Sequence, residues 1–163
     1  DSTFSRKIAS FKAVTSPLLT VHAGRLVRLI PDSPPNSERA AIKTLFNHRL
    51  PSDAVAAHGA WQSIVDGTSE LWKTITPAKK ELIRSFFNVL NLEILKRARP
   101  PSSTFDFTSA SVGNLFLTGA RLFSGSFESA IYLLGSICGV QSDVVRVIPA
   151  INSYSPRGRK DPR

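Results

Sequence analysis

Ser111, Gly113 and Asn114 form the group of residues whose types and spacing best suit the binding of a phosphate. A glycine lets the backbone come close to a ligand, and the free amides at a helix N-terminus attract anions. An asparagine side chain can donate to or accept from a phosphate, a ribose or a base edge. These three residue types could therefore bind a nucleotide or another phosphate, although taken alone they favour a structural explanation. The structural alternative is that Ser111 only caps the helix and Gly113 only permits close packing.

A second polar group, Asn47-His48-Arg49, lies at the end of an earlier predicted helix. The helix dipole favours cationic side chains at this end, so His48 and Arg49 have a purely structural explanation. The histidines at positions 22, 48 and 58 share no metal-ligand spacing, and the chain has a single cysteine. We therefore predict no metal site within the chain, and its motifs assign a catalytic role to no residue.

The formal net charge of +9 indicates an anionic partner: nucleotide phosphates, nucleic acid or a membrane surface. The basic excess lies mainly at the two ends of the chain, so it says little about function. The basic stretch Lys96–Arg99 is followed by two prolines. A cluster of charges at the end of a helix explains it more simply than a stripe that binds nucleic acid. No apolar run approaches the roughly 18 residues that span a bilayer. Neither nucleic acid nor a membrane is therefore a predicted partner.

Cys138 lies in an apolar run and is predicted to be a buried structural thiol. With no disulfide framework possible, a reducing, cytoplasmic location is predicted. The Ser- and Thr-rich, acid-poor stretch Ser2–Thr20 has the composition of an organellar transit peptide, which is the alternative.

The elements that would position these candidate residues are predicted to be mostly helices, separated by prolines and glycines. Hydrophobic periodicity predicts five: from Glu38 to before Pro51, Asp53 to Val65, Pro77 to Arg97, Gly113 to Phe123, and Phe127 to Ile137. Trp61 and Trp72 are predicted to pack the second helix onto the core, with a stacking platform for bases as the alternative. The β-branched run Val144–Ile148 predicts a strand, which would pair with the apolar patch Leu26–Ile30 or with strands outside the chain.

Three segments, in order and spacing, are similar to motifs of one protein family. Leu45–Leu50 is similar to its Leu/aromatic-Arg-Phe helix end, and Ser109–Leu117 to its "GHSxGNLxL" motif. Ser126–Ile131 and Val145–Ala150 are similar to its "GDFxxAI … VLP" ending. On these residues, the stretch from 25 to 152 resembles the CofD/YvcK-like family of 2-phospho-L-lactate transferases and gluconeogenesis factors, nearest to its plant and fungal members.

The resemblance implies an α/β fold: a helix-rich fragment of a Rossmann-like, CofD-type structure with few strands. It implies binding of a nucleotide or nucleotide-sugar, with Ser111, Gly113 and Asn114 as the predicted phosphate-binding residues, and a homodimer. The protein would act as a UDP-sugar-binding regulator, or would transfer a 2-phospholactyl group to a deazaflavin precursor with Mg²⁺ held by the full-length parent. Arg49, and less directly His48, would contact the phosphate or substrate.

The departures from the family are also informative. The family's Gly-Gly-Thr-Gly turn and Asp-Asp-Gly-Gly-Ser loop are absent, and Ala110 stands where its motif has histidine. Because the chain has no methionine, we expect a partial chain. Its expected parts are a weakly ordered segment (1–24), a partial domain (25–152) and a disordered basic tail (153–163). The alternative function is a truncated, non-catalytic remnant that binds anionic partners weakly.

Overall fold

The structure is a computed structural model that describes residues 27–140. Five α-helices lie entirely within this part, together with one short 3-10 helix at Glu70–Trp72. The α-helices are α1 (Glu38–Asn47), α2 (Ala54–Asp66), α3 (Pro77–Arg97), α4 (Val112–Ser124) and α5 (Phe127–Cys138). The five predicted helices are therefore confirmed, with ends that differ by at most three residues.

The predicted α/β, Rossmann-like fold is wrong for the described residues, which contain no β-strand. Their only extended pairings are two isolated bridges, Arg49 with Ser111 and Arg99 with Ser103. In the patch expected to form a strand, residues 27 and 28 are helical and 29 and 30 form a turn and a bend. The predicted strand Val144–Ile148 lies outside the described residues. The resemblance had implied a sheet that the helical periodicity of residues 38–138 does not itself support.

Local signals explain where the helices begin and end. Side-chain oxygens of Ser37, Asp53 and Ser126 accept hydrogen bonds from backbone amides in the first turns of α1, α2 and α5. Proline opens α3 at a position where its missing amide costs no hydrogen bond. Glycines in the left-handed conformation end α2, α4 and α5.

Aromatic side chains at the centre of the molecule hold α3 against its neighbours. The ring of Phe116 on α4 lies 5.1 Å from Phe46 on α1 and 5.3 Å from Phe86 on α3. Trp61 on α2 is fully buried and its ring lies 5.3 Å from Phe87 on α3. Its burial confirms the prediction that it packs α2 onto the core. The same core of packed helices holds the end of α1 and the start of α4, where the candidate residues lie.

Glu38, in the first turn of α1, links that helix to the start of α3. Its carboxylate accepts hydrogen bonds from the backbone amide of Thr76 at 2.8 Å and from Lys79 Nζ at 3.1 Å. The side chain and backbone of Thr76, followed by Lys79, lower the pKa of Glu38 from 4.5 to about 2. A pKa that is lower in the folded state stabilises the protein above the unfolded value, and the stabilisation is lost as the pH falls through the folded value.

We expect Glu38→Gln to lower the free energy of unfolding at pH 7 by about 1 kcal/mol, because it removes the charge from these hydrogen bonds. The loss should shrink as the pH falls from 4.5 towards 2, the interval between the two pKa values. Urea unfolding at pH 7, 4.5 and 3 measures it, with Glu70→Gln as the control on an exposed acid. Equal acid dependence in the wild type and in Glu38→Gln would contradict this role.

Candidate functional site

The end of α1 and the beginning of α4 meet in the antiparallel bridge between Arg49 and Ser111. The Leu50 amide donates to the Ala110 carbonyl at 2.9 Å, and the Val112 amide to the His48 carbonyl at 3.0 Å. Because the bonds come from the flanking residues, Arg49 and Ser111 form a non-hydrogen-bonded pair, whose side chains lie close together on one face. The structure thus brings together the two polar groups that the sequence had identified separately.

The bridge is short for local reasons. The Ser109 amide still donates to the Pro51 carbonyl at 3.0 Å, but Pro51 has no amide to return a bond. Ser109 also has a positive φ of 55°, which turns the chain away from an extended pairing. On the other side, α4 begins immediately after Ser111. Two strands therefore never develop, and the pairing is limited to the point where the candidate residues lie.

Arg49 is exposed, and one hydrogen bond holds its side chain against the bridge. Its Nη1 donates to the Ser109 carbonyl at 3.2 Å. A guanidinium has five N–H donors, so most of them remain available to a ligand. No acid among the described residues forms an ion pair with it. Arg49 therefore presents a positive charge beside Ser111.

The first turn of α4 is left open. Ser111 is its N-cap residue, yet its side chain makes no capping hydrogen bond. Within residues 27–140, the Gly113 amide donates no hydrogen bond either, although Gly113 itself is buried. The prediction that Ser111 and Gly113 offer donors to an anion stays a prediction, but the simple capping alternative does not describe this helix start.

Asn114 carries an unsatisfied group at the same helix start. Its Oδ1 is buried and has no hydrogen-bond partner among the described residues. Asn114 stands three residues after the N-cap, where a capping-box side chain would accept a hydrogen bond from the N-cap amide, and its Oδ1 does not form that bond here. A buried acceptor without a donor costs about 1–3 kcal/mol, so a donor from water or from a ligand is expected at this oxygen.

An open cleft of about 550 Å³ lies beside this bridge, along the exposed side of α1. Seven of its nine lining residues are polar or charged; the lining consists of Pro31, Asp32, Ser33, Ala40, Lys43, Thr44, Asn47, His48 and Arg49. The cleft includes the predicted contacts His48 and Arg49 but not Ser111, Gly113 or Asn114. Sequence analysis missed Lys43 and Thr44, although the spacing of residues 40, 43, 44 and 47 marks one face of a helix.

A second cleft, of about 480 Å³, lies between the 3-10 helix and α3. Lys80, which lines it, donates to the Gly67 carbonyl at 2.8 Å, and the neighbouring Arg84 donates to the Val65 carbonyl at 2.8 Å. These carbonyls lie at the C-terminal end of α2, where cations are favoured by the helix dipole. Both side chains therefore have a structural role there.

The described residues offer little to a metal ion. They contain no group of three or more His, Cys, Asp or Glu side chains that could hold one. Magnesium is commonly bound by one or two carboxylates together with substrate phosphates and water, and the Mg²⁺ implied for a full-length parent stays a prediction. His58 packs its ring against Phe107 at 5.9 Å. In residues 27–140, no helix is long and apolar enough to cross a membrane.

Cys138 is buried, and desolvation raises the pKa of its thiol to about 12, although Lys79 acts in the opposite direction. Because the thiolate is the reactive form, we expect the native protein to react with Ellman's reagent at pH 8 at least ~100-fold more slowly than the same chain in 6 M urea. The rate of absorbance change measures this. Fast labelling of the native chain would show that the thiol is accessible and that its predicted structural role is wrong.

Comparison with known proteins identifies a relative in yeast. An uncharacterized protein of Saccharomyces cerevisiae, YNL011C, is 42% identical to this chain over 142 residues. The match covers 87% of this chain and 30% of the yeast protein, so the chain spans less than a third of that relative's length. No protein-family model and no solved structure matches the chain.

Proposed function

We propose that this chain binds the phosphate of a nucleotide or nucleotide-sugar at the Arg49–Ser111 bridge, as part of a CofD/YvcK-like protein. The observation that carries the proposal is the bridge itself, which pairs an exposed guanidinium with an uncapped helix N-terminus. Arginine forms bidentate, charge-assisted hydrogen bonds with phosphate oxygens. The helix adds the partial positive charge of its N-terminus and the free amide of Gly113.

The resemblance supports the same place. The two segments similar to the family's Arg-containing helix end and to its "GHSxGNLxL" motif are far apart in sequence, and the hydrogen bond from Arg49 to Ser109 spans 60 residues. Their meeting at one point is what a shared ligand would require. Asn114 belongs to the same motif, and its unpaired buried oxygen would accept a hydrogen bond from a ligand hydroxyl or amine.

Of the two family activities, we favour binding of a nucleotide-sugar with a regulatory outcome over phospholactyl transfer. The described residues contain no group of three or more His, Cys, Asp or Glu side chains that could hold a metal ion, and the family's acidic loop is absent from the given sequence. No chemical step is therefore assigned to Mg²⁺ or to any residue. The yeast relative's name states no activity, and it neither supports nor opposes this choice.

The test is isothermal titration calorimetry of the 163-residue chain with inorganic pyrophosphate and with UDP-N-acetylglucosamine, each with and without MgCl₂. We expect Arg49→Gln to weaken pyrophosphate binding about 10- to 100-fold, the loss of a charge-assisted hydrogen-bond pair. Arg121→Gln is the matched control, because Arg121 is also an exposed arginine, on α4.

Two outcomes would contradict the proposal. Equal weakening by Arg49→Gln and Arg121→Gln would show that the anion senses only net charge, as expected for a remnant that binds anionic partners weakly. Absence of binding by the wild-type chain, in a sample that melts cooperatively, would remove the bridge as a phosphate site.

A further inference from the structure

α3 carries apolar residues on two faces, and only one of these faces is buried. The buried, inner face consists of Ile83, Phe87, Leu90 and Ile94. The outer face follows the same alternation of four and three residues, and its members are Ala78, Leu82, Ser85, Val89, Leu92 and Lys96. A surface helix ordinarily has a single apolar stripe and a polar opposite face. The outer face of α3 therefore has the pattern of a second packing surface.

The outer face is open in the structure. Leu82 is 46% exposed and Leu92 is 58% exposed, while Val89 between them is half-buried. The ring of Phe123 on α4 lies 5.5 Å from that of Phe86, which stands four residues after Leu82, so it extends the apolar surface along one side of this face. Adjoining exposed apolar side chains of this kind mark a site of protein–protein contact.

The spacing of the outer face fits a second copy of the same helix. Alternating steps of three and four residues form the seam of a two-helix coiled coil. In an antiparallel pair centred between Ser85 and Val89, Leu82 of each copy lies opposite Leu92 of the other. Ser85 then lies opposite Val89, so a small side chain meets a larger one on both sides of the centre. Each of these outer residues therefore has another outer residue facing it.

The charges of α3 decide the direction of the pair. The outer face is acidic near its start, at Glu81, and basic near its end, at Lys96 and Arg99. A parallel pair would place like charges opposite each other. An antiparallel pair places Lys96 opposite Ala78, one helical turn from Glu81 of the other copy, and it sets the two helix dipoles in opposite directions. Glu81 already contacts Arg84 of its own helix at 2.7 Å, and a carboxylate can accept from both cations.

We infer that the outer face of α3 binds a second copy of this chain as an antiparallel helix pair. The resemblance implied a homodimer but assigned no surface to it, whereas the surface and the direction follow here from the spacing and charges of α3. The contact does not depend on the phosphate site, because α3 contributes no residue to the Arg49–Ser111 bridge. A single helix pair is smaller than a standard interface, so we expect a weak dimer with a Kd of roughly 10–100 µM.

Sedimentation velocity of the 163-residue chain, at concentrations from about 5 to 300 µM that bracket this Kd, tests the inference. We expect the sedimentation coefficient to rise from that of a monomer to that of a dimer. Leu92→Glu should weaken the dimer at least ~10-fold, because the seam would then bury two added charges. Val55→Glu is the matched control, since Val55 is 82% exposed and lies on α2, and it should leave the dimer unchanged.

Charge reversal tests the antiparallel direction. Glu81→Lys and Lys96→Glu should each weaken the dimer about 3- to 10-fold, and the double variant should regain the wild-type affinity. Lys96→Glu is the sharper of the two, because it lowers the net charge of a chain that carries +9 and so reduces the overall repulsion between copies. A double variant that remains weak would overturn the antiparallel pairing.

Two further outcomes would overturn the inference. A chain that stays monomeric at about 300 µM, well above the expected Kd, would show that the outer face does not bind a second copy. Equal effects of Leu92→Glu and Val55→Glu would show that a dimer forms through another surface. Leu92→Gln replaces the glutamate variant if that variant does not melt cooperatively. None of these results would change the expected binding of pyrophosphate at the bridge.

Discussion

Gly119→Ala is expected to destabilise the chain by about 3 kcal/mol or more, a large share of the roughly 5–15 kcal/mol that holds a typical domain folded. Gly119 lies where α4 crosses α3. A β-carbon at this position would overlap the carbonyl oxygen of Phe86 and lie 2.9 Å from its carbonyl carbon. These are backbone atoms, so no side-chain rotation relieves the overlap and the two helices would have to separate.

Urea unfolding followed by circular dichroism at 222 nm measures this loss. Gly59→Ala is the matched control, because Gly59 lies inside α2 and a β-carbon there would meet no atom within 4 Å. Alanine has the higher helix propensity, so the control should be neutral or more stable by up to about 1 kcal/mol. Equal unfolding midpoints for the two variants would show that α3 and α4 do not cross at Gly119.

Trp61→Ala is expected to cost about 3–5 kcal/mol, the range for removing a large buried aromatic side chain. The Trp61 ring is fully buried, is stacked on Phe107 at 5.4 Å and meets the edge of Phe87 at 5.3 Å. Its Nε1 donates to Asn91 Oδ1 at 3.3 Å, so the substitution also leaves that oxygen without its donor. The cavity would lie between α2, α3 and the segment that leads to α4.

The same urea experiment measures this effect, with Tyr132→Ala as control because Tyr132 is an aromatic residue of α5 that is 67% exposed. The control should lie within about 0.5 kcal/mol of the wild type. Trp61→Phe should recover part of the loss, since it keeps a ring but not the hydrogen bond. A cost below about 1 kcal/mol for Trp61→Ala would contradict the burial of this side chain.

The parts of the fold that could be predicted are those set by sequence signals that act over a few residues. Caps, prolines and glycines act within a few residues, and for this reason the starts of α1 at Glu38 and α3 at Pro77 were predicted correctly. Trp61 could be assigned to the core because large aromatic residues in an apolar helix are usually buried. The sheet was inferred from one β-branched run and from the resemblance, and neither reports on the packing of residues 27–140.

The candidate site, in contrast, depends on contacts between distant segments that local signals do not predict. Its members were selected from residue chemistry, but periodicity carries no information on which distant segments pair. The contact of Arg49 with the Ser109 carbonyl joins positions 60 residues apart. Asn47 was noted in the sequence only as a neighbour of Arg49, and its place in the cleft depends on the turn at Pro31–Ser33. Only the folded chain shows that these groups are neighbours.

The bridge also defines a closed loop in the path of the chain. After Leu50 the chain continues through α2 and α3, and at Ala110 it returns to lie beside Leu50. Closing a loop of this length has an entropic cost that three backbone hydrogen bonds alone would hardly offset. The packing of α3 on α4 must therefore stabilise the closed loop. The proposed phosphate site therefore forms only when the whole loop containing α2 and α3 is folded. A peptide containing only the "GHSxGNLxL"-like motif would not form this site.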